Sequence, residues 1–152
     1  MRSLRPATVL TLLAVDRATK LWAMRDLRLR GPIPVLAFFE FSYVENTGAA
    51  FGMGRGANGV FIAISVVMIA VLVRILRRWP TDDFCLQAGG TLVLAGAMGN
   101  LYDRLFYGYV VDFLFLHHWP VFNAADSCIT VGAVLLAWGL RDPEAKAPAN
   151  PS

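Results

Sequence analysis

Apolar residues fall along this chain in long unbroken blocks, not in the alternation or the three-to-four spacing of half-buried elements. Gly56–Val73 is 18 residues without a charge, Phe84–Tyr102 is 19 without a charge, and Ala124–Leu140 is 17 with one, Asp126, near its start. A fourth block, Pro6–Met24, is apolar through Val15 and then carries Asp16, Arg17 and Lys20. A bilayer-spanning helix needs about 20 mostly apolar residues, so the pattern predicts four spans, over about residues 6–24, 56–73, 84–102 and 124–140. Between the first two, Val35–Val44 (VLAFFEFSYV) is rich in aromatic and β-favouring residues and follows the helix-breaking Gly31-Pro-Ile-Pro. Gly48, Gly52, Gly54, Gly56 and Gly59 then make the chain turn-rich. The expected fold is an all-α integral membrane protein of four transmembrane helices with a small extracytoplasmic β element over about residues 33–51. One membrane-embedded domain over 1–141 and a disordered cytoplasmic tail over 142–152, with three prolines, complete the expectation.

Composition agrees. Of 152 residues 57% are apolar and 16% charged, with mean hydropathy +0.53, against roughly 45–50% and about 25% in soluble domains. Such a chain is neither disordered nor, with two cysteines, a disulfide scaffold. Cys85 and Cys128 open the third and fourth spans on opposite faces of the bilayer, which excludes a bond between them within one chain. The isoelectric point near 9.2 reflects a net charge of only +3 without a basic cluster, so no nucleic-acid partner is expected. Arg2, Arg5, Arg74, Arg77, Arg78, Arg141 and Lys146 fall on the side of the termini, and Arg25, Arg28, Arg30, Arg55 and Arg104 on the other. Seven against five is a small bias, and it places both termini in the cytoplasm. Arg2 and Arg5 before Ala7–Val15 have the form of a secretory signal peptide. No small-x-small cleavage site follows, and the helical pattern runs on to Met24, so an uncleaved span is expected.

The charged remainder carries the chemistry, because ionisable groups at membrane depth are costly and mark sites by default. Asn100, Asp103 and Arg104 share one helix face at the end of the third span, with Gly96 a turn earlier leaving room for close approach. Asp112 interrupts the apolar run Tyr109-Val-Val-Asp-Phe-Leu, and Asp126 lies at the mouth of the fourth span, where a carboxylate also suits a helix start. The 13 residues between them allow a hairpin that brings the two together. Neighbouring carboxylates share a proton, which supplies one acid and one base for activating water against a peptide carbonyl. Asp16 and Lys20, at i and i+4, can pair across one helical turn, with Lys20 near enough the outer face to snorkel and Asp16 supporting the site. Asn46, in Glu45-Asn-Thr-Gly-Ala-Ala-Phe-Gly, offers a donor and an acceptor in a tight loop. A triad through Ser127 lacks a nucleophile-elbow pattern, and a metal site from Asp112, Asp126, His117 and His118 would need adjacent histidines to converge on one ion. A transporter or ion-conducting subunit remains a competing class, although it would spread charges through the bilayer depth. A structural or lipid-binding subunit leaves the paired aspartates unexplained.

Four blocks resemble, in order, the lipoprotein signal peptidases, the type II signal peptidases of bacteria. They are Asp16-Arg-Ala-Thr-Lys20; Asn46-Thr-Gly-Ala-Ala-Phe51; Gly99-Asn-Leu-Tyr-Asp-Arg104 with Val110-Val-Asp-Phe113; and Phe122-Asn-Ala-Ala-Asp-Ser127. The resemblance spans about Val15 to Val134. It implies an intramembrane aspartyl endopeptidase that cuts diacylglyceryl-modified prolipoproteins just before the lipidated cysteine, is inhibited by globomycin, and needs no metal or organic cofactor. It implies Asp112 and Asp126 as the catalytic dyad, with Asp16, Lys20, Asn46, Gly48, Asn100, Asp103, Arg104 and Asn123 as substrate-binding or supporting residues. Arg104 corresponds to an arginine that binds substrate backbone carbonyls. The expected partners are the lipid-modified substrate and membrane lipids, with the chain acting as a monomer. One departure is the segment between the aspartates, which is short for the family and carries His117-His118-Trp119-Pro120 in its middle.

Overall fold

The computed structural model describes residues 6–48, 57–78 and 83–141. Four helices and a three-stranded antiparallel sheet make up the fold: α1 (Pro6–Trp22), β1 (Ile33–Leu36), β2 (Phe39–Asn46), α2 (Asn58–Leu76), α3 (Phe84–Phe106), β3 (Val110–Leu116) and α4 (Ala124–Gly139). The predicted disordered tail over 142–152, and the part of the predicted β element beyond Gly48, lie outside the described residues.

The apolar blocks became the four helices with shifted ends. The second runs 58–76 instead of 56–73, and the third continues to residue 106, because Asn100, Asp103 and Arg104 are satisfied by neighbours and the helix need not stop at the first polar residue. The fourth ends at Gly139, one residue early. The first stops as an α-helix at Trp22 and continues through a π-helical stretch, Ala23–Leu27, and one further turn, Arg28–Arg30. Helices α2 and α3, at 19 and 23 residues, are long and apolar enough to cross a membrane. Two threonine hydroxyls in α1 bond back to their own helix, Thr11 to the Ala7 carbonyl and Thr19 to that of Val15, each at 2.9 Å.

Helices α3 and α4 form the tightest seam. A Cβ on Gly89 would stand 2.8 Å from the Gly132 carbonyl oxygen, and one on Gly132 would stand 2.7 Å from that of Gly89. Backbone meets backbone there, the packing that small residues permit between membrane helices. Val9 of α1, Leu72 and Leu76 of α2, and Val93, Leu94 and Ala95 of α3 form the bundle core. Most of α2 is otherwise exposed.

The third strand was not expected: the run around Asp112 read as an outer loop, and the fold is therefore not all-α. Its partner β2 lies some 66 residues away in sequence, as for Asn46 and Asp112, and a single chain's pattern does not display so distant a pairing. Val44 pairs with Asp112 and Asn46 with Val110, and the register shifts between Phe41 and Val44. Side chains alternate across a strand. Val111 and Phe113 therefore join Ala23 and Leu27 in a second core, while Val110 and Asp112 face the other way. Trp22 at the end of α1 locks the sheet in place, edge-on to Phe41 at 5.2 Å and to Phe113 at 6.2 Å.

Candidate active site

The face of β3 that carries Asp112 looks onto a cavity of about 600 Å³. Asn46, Gly48, Asn100, Arg104, Asp112 and Asp126 form its polar wall; Val110, Leu116, Trp119, Pro120, Val121, Phe122 and Val131 supply apolar lining. The chain after β3 turns back so that Phe122 bridges Leu114, and this return delivers Asp126 beside Asp112. The hairpin expected between the two aspartates is thus present.

Each aspartate is held from two sides. Asp126 is the third residue of α4 in a capping box: the Asn123 side chain accepts the Asp126 N–H at 2.9 Å, and Asp126 Oδ2 accepts the Asn123 N–H at 3.3 Å. Asn100 Nδ2 donates to the other oxygen, Oδ1, at 2.7 Å. Asp112 receives Asn123 Nδ2 at 2.7 Å on Oδ1 and Asn46 Nδ2 at 2.9 Å on Oδ2. Asn46 is a diagonal cross-strand neighbour of Asp112, and its own oxygen is fixed by the Gly48 N–H at 3.0 Å. Asn123 Nδ2 also lies 3.1 Å from Asn100 Oδ1, so the two amides join the carboxylates in one chain of hydrogen bonds. Burial, and next the neighbouring Asp126 charge, push Asp112 up to about 7, against the pull of the Asn46 and Asn123 hydrogen bonds.

Asp16, Lys20, Asp103 and Asn123 stand behind this wall instead of lining it. Lys20 does not snorkel. It is fully buried, and its Nζ donates to Asn100 Oδ1 at 2.9 Å while pairing with Asp16 Oδ2 and Asp103 Oδ2 at 3.0 Å each. Three acceptors for three ammonium hydrogens leave the buried charge fully partnered. Asp16 Oδ1 accepts the Ala125 N–H at 3.1 Å, which ties α1 to the start of α4. Gly99 makes space for this carboxylate, since a Cβ there would lie 2.5 Å from Asp16 Oδ2. At Gly96 the close neighbour is the Ala125 carbonyl. Asp103, expected in the polar site, instead accepts the Val111 N–H at 3.1 Å and so holds β3. Arg104 reaches the Gly48 carbonyl at 3.4 Å, with its guanidinium 5.3 Å from the Phe61 ring.

Arg17 escaped the sequence reading, although it sits inside the first matched block. Its Nη1 donates to Asp103 Oδ1 at 2.7 Å. The available signal was a second cation in an apolar span that already had Lys20.

The alternatives find little support. Among the described residues no group of three or more His, Cys, Asp and Glu is placed to hold a metal ion, and His117 and His118 are both exposed. Ser127 gives its hydroxyl to the Asn123 carbonyl at 3.1 Å, not to a histidine. Cys85 and Cys128 are both free thiols, half-buried, with Cys85 at the end of the α3–α4 seam near Gly139.

The whole assembly has counterparts. A lipoprotein signal peptidase of Clostridium novyi is 41% identical over 130 residues, covering 81% of this chain and 87% of that protein. That of Moorella thermoacetica is 41% identical over 135 residues, covering 88% and 90%. A solved bacterial membrane enzyme superposes with a TM-score of 0.81 at 27% identity, over 95% of this chain and 92% of the other. The family model for signal peptidase (SPase) II, Peptidase_A8, matches residues 8–141, and the chain belongs to that family.

Proposed function

We propose that Asp112 and Asp126 are the catalytic dyad with which this signal peptidase II cleaves the signal peptide from a lipid-modified prolipoprotein, before the lipidated cysteine. The observation that carries the reading is the pair of carboxylates on one cavity wall, delivered by β3 and α4 and linked through Asn100 and Asn123. Near neutrality the pair holds one proton. The ionised partner takes a proton from water as its oxygen attacks the scissile carbonyl carbon. The protonated partner donates a hydrogen bond to the developing oxyanion, and the amine leaves with a proton from the dyad. Asn46 and Arg104 position the extended peptide, and Asp16, Lys20, Asp103 and Asn123 hold the wall behind. Gly48 offers a carbonyl at the rim.

The same reading places all four helices across a bacterial cytoplasmic membrane, as one domain over about 1–141 acting as a monomer among membrane lipids. Both termini are cytoplasmic and the cavity opens near the outer face, where the substrate's acyl chains stay in lipid. Cleavage of a lipidated precursor by purified protein tests it. Asp112→Asn and Asp126→Asn are each expected to insert normally, to abolish cleavage, and globomycin is expected to block the wild type. Turnover by either variant refutes the dyad, and activity lost in EDTA and restored by zinc would favour a metal mechanism instead.

A further inference from the structure

We infer that Arg17 is a positioning residue that sets where the Asp112 carboxylate sits, acting through Asp103; the inference rests on the dyad proposed above. The Arg17 guanidinium faces two aromatic rings, 5.1 Å from the centroid of Tyr102 and 5.2 Å from that of Tyr107. Its Nη1 donates to Asp103 Oδ1 at 2.7 Å, and Nη2 donates to the Tyr107 hydroxyl at 3.1 Å with Met24 Sδ at 3.7 Å. The other oxygen of Asp103 accepts both Lys20 Nζ at 3.0 Å and the Val111 N–H at 3.1 Å.

An aspartate's terminal torsion is broad and soft. A carboxylate held at one oxygen only can swing; held at both, it cannot. Arg17 occupies the oxygen that Lys20 and Val111 leave, so it fixes the rotation of Asp103 and thereby the height of Val111. Val111 is the residue before Asp112, and its carbonyl accepts Asn123 Nδ2 at 3.3 Å. The peptide leading into the dyad is therefore clamped at its N–H by Asp103 and at its C=O by Asn123, and Arg17 is the outer fastening of the first clamp. The planar guanidinium serves Asp103 and Tyr107 together while it lies against both rings, and a lysine ammonium has no equivalent geometry.

Displacing a reacting group by about 1 Å can cost about a hundredfold in rate. The test is steady-state cleavage of a lipidated precursor by Arg17→Gln, Arg17→Lys, Asp103→Asn and the Arg17→Gln/Asp103→Asn double variant, with Asp112→Asn as control. Arg17→Gln is expected to lower kcat about tenfold to a hundredfold with KM within about twofold, and Arg17→Lys to lie between it and the wild type. Because both singles break one clamp, the double variant is expected to lose no more than the worse single. Wild-type kcat in Arg17→Gln, or losses that multiply in the double variant, overturns the inference while an inactive Asp112→Asn leaves the dyad standing. Activity in Asp112→Asn refutes the dyad itself and this inference with it. Should Arg17→Gln fail to insert, Arg17→Lys is read in its place. Lower kcat at unchanged KM then supports the assignment, and wild-type kcat overturns it.

Discussion

Replacing Lys20 by methionine tests the buried charge network most directly. Methionine keeps an unbranched side chain of similar length, so the cavity left behind is small and the charge is the main thing removed. Three contacts go with it: those to Asp16 and Asp103 at 3.0 Å and to Asn100 at 2.9 Å. Two carboxylates, each nearly or wholly buried, then lose a cation. Breaking a buried pair from one side costs about 3–5 kcal/mol because the remaining charge stays in a poor solvent, and here Asp16 keeps only the Ala125 N–H while Asp103 keeps Arg17. That is a large part of the roughly 5–15 kcal/mol that holds a domain folded. Reversible unfolding in mixed micelles, followed by the fluorescence of the tryptophans, among them Trp22 packed on Phe41 and Phe113, measures it. The expected loss is at least about 3 kcal/mol. Adding Asp103→Asn should cost less than the sum of the two single changes, since it removes a carboxylate that Lys20 had helped to balance. A loss below about 1 kcal/mol for Lys20→Met, the value of an exposed pair, would refute the inward placement of the ammonium.

Other consequences can be measured as readily. With Asp112 pushed up to about 7 by its burial and by the neighbouring Asp126, raising the pH strips the proton the proposed dyad shares, so kcat/KM is expected to fall on an alkaline limb near that pH. Asn46→Ala removes a donor that stabilises the ionised Asp112, so the limb should move to higher pH; a limb that stays or moves down contradicts the assignment. Gly132→Val should destabilise the α3–α4 seam by about 1–3 kcal/mol, because even its Cβ would sit 2.7 Å from the Gly89 carbonyl; an unchanged unfolding midpoint would deny the close approach. Asn123→Ala removes a helix cap worth about 1 kcal/mol and a hydrogen bond to Asp112, so cleavage should suffer more than stability; stability loss with full cleavage would separate Asn123 from the dyad.

The helices were legible in the sequence because a bilayer demands length and apolarity, and both are written locally. The two carboxylates proposed as the dyad stood out for the complementary reason, since Asp112 and Asp126 are charges in apolar surroundings. Strand β3 was hidden because its pairing with β2 is long-range, and a seven-residue run, apolar but for Asp112, does not say which edge it will meet. Lys20 read as a snorkelling cation because spacing revealed its partner Asp16 but not Asp103 and Asn100, which come from another helix. Arg17 was passed over because its role depends on Tyr102, Tyr107 and Asp103 converging at the far end of α3. Side-chain direction, in each case, is decided by a neighbour distant in sequence.

Among the described residues, the sheet beside the proposed dyad has two outer strands, and each is blunted against pairing with another chain. Strand β1 carries Pro34, which has no N–H to give, and its register shifts between Pro34 and Leu36. On β3, the Val111 N–H goes to Asp103 and its C=O to Asn123, while the N–H groups of Phe113 and Leu114 are taken by the Phe122 carbonyl. Unsatisfied strand edges invite stacking of one copy on the next, and the Asp103 and Asn123 side chains together with the Phe122 backbone close this one. An extended peptide entering the cavity cannot simply zip onto the sheet along this stretch. On the proposed reading it is held group by group, by amide and guanidinium side chains set around two carboxylates.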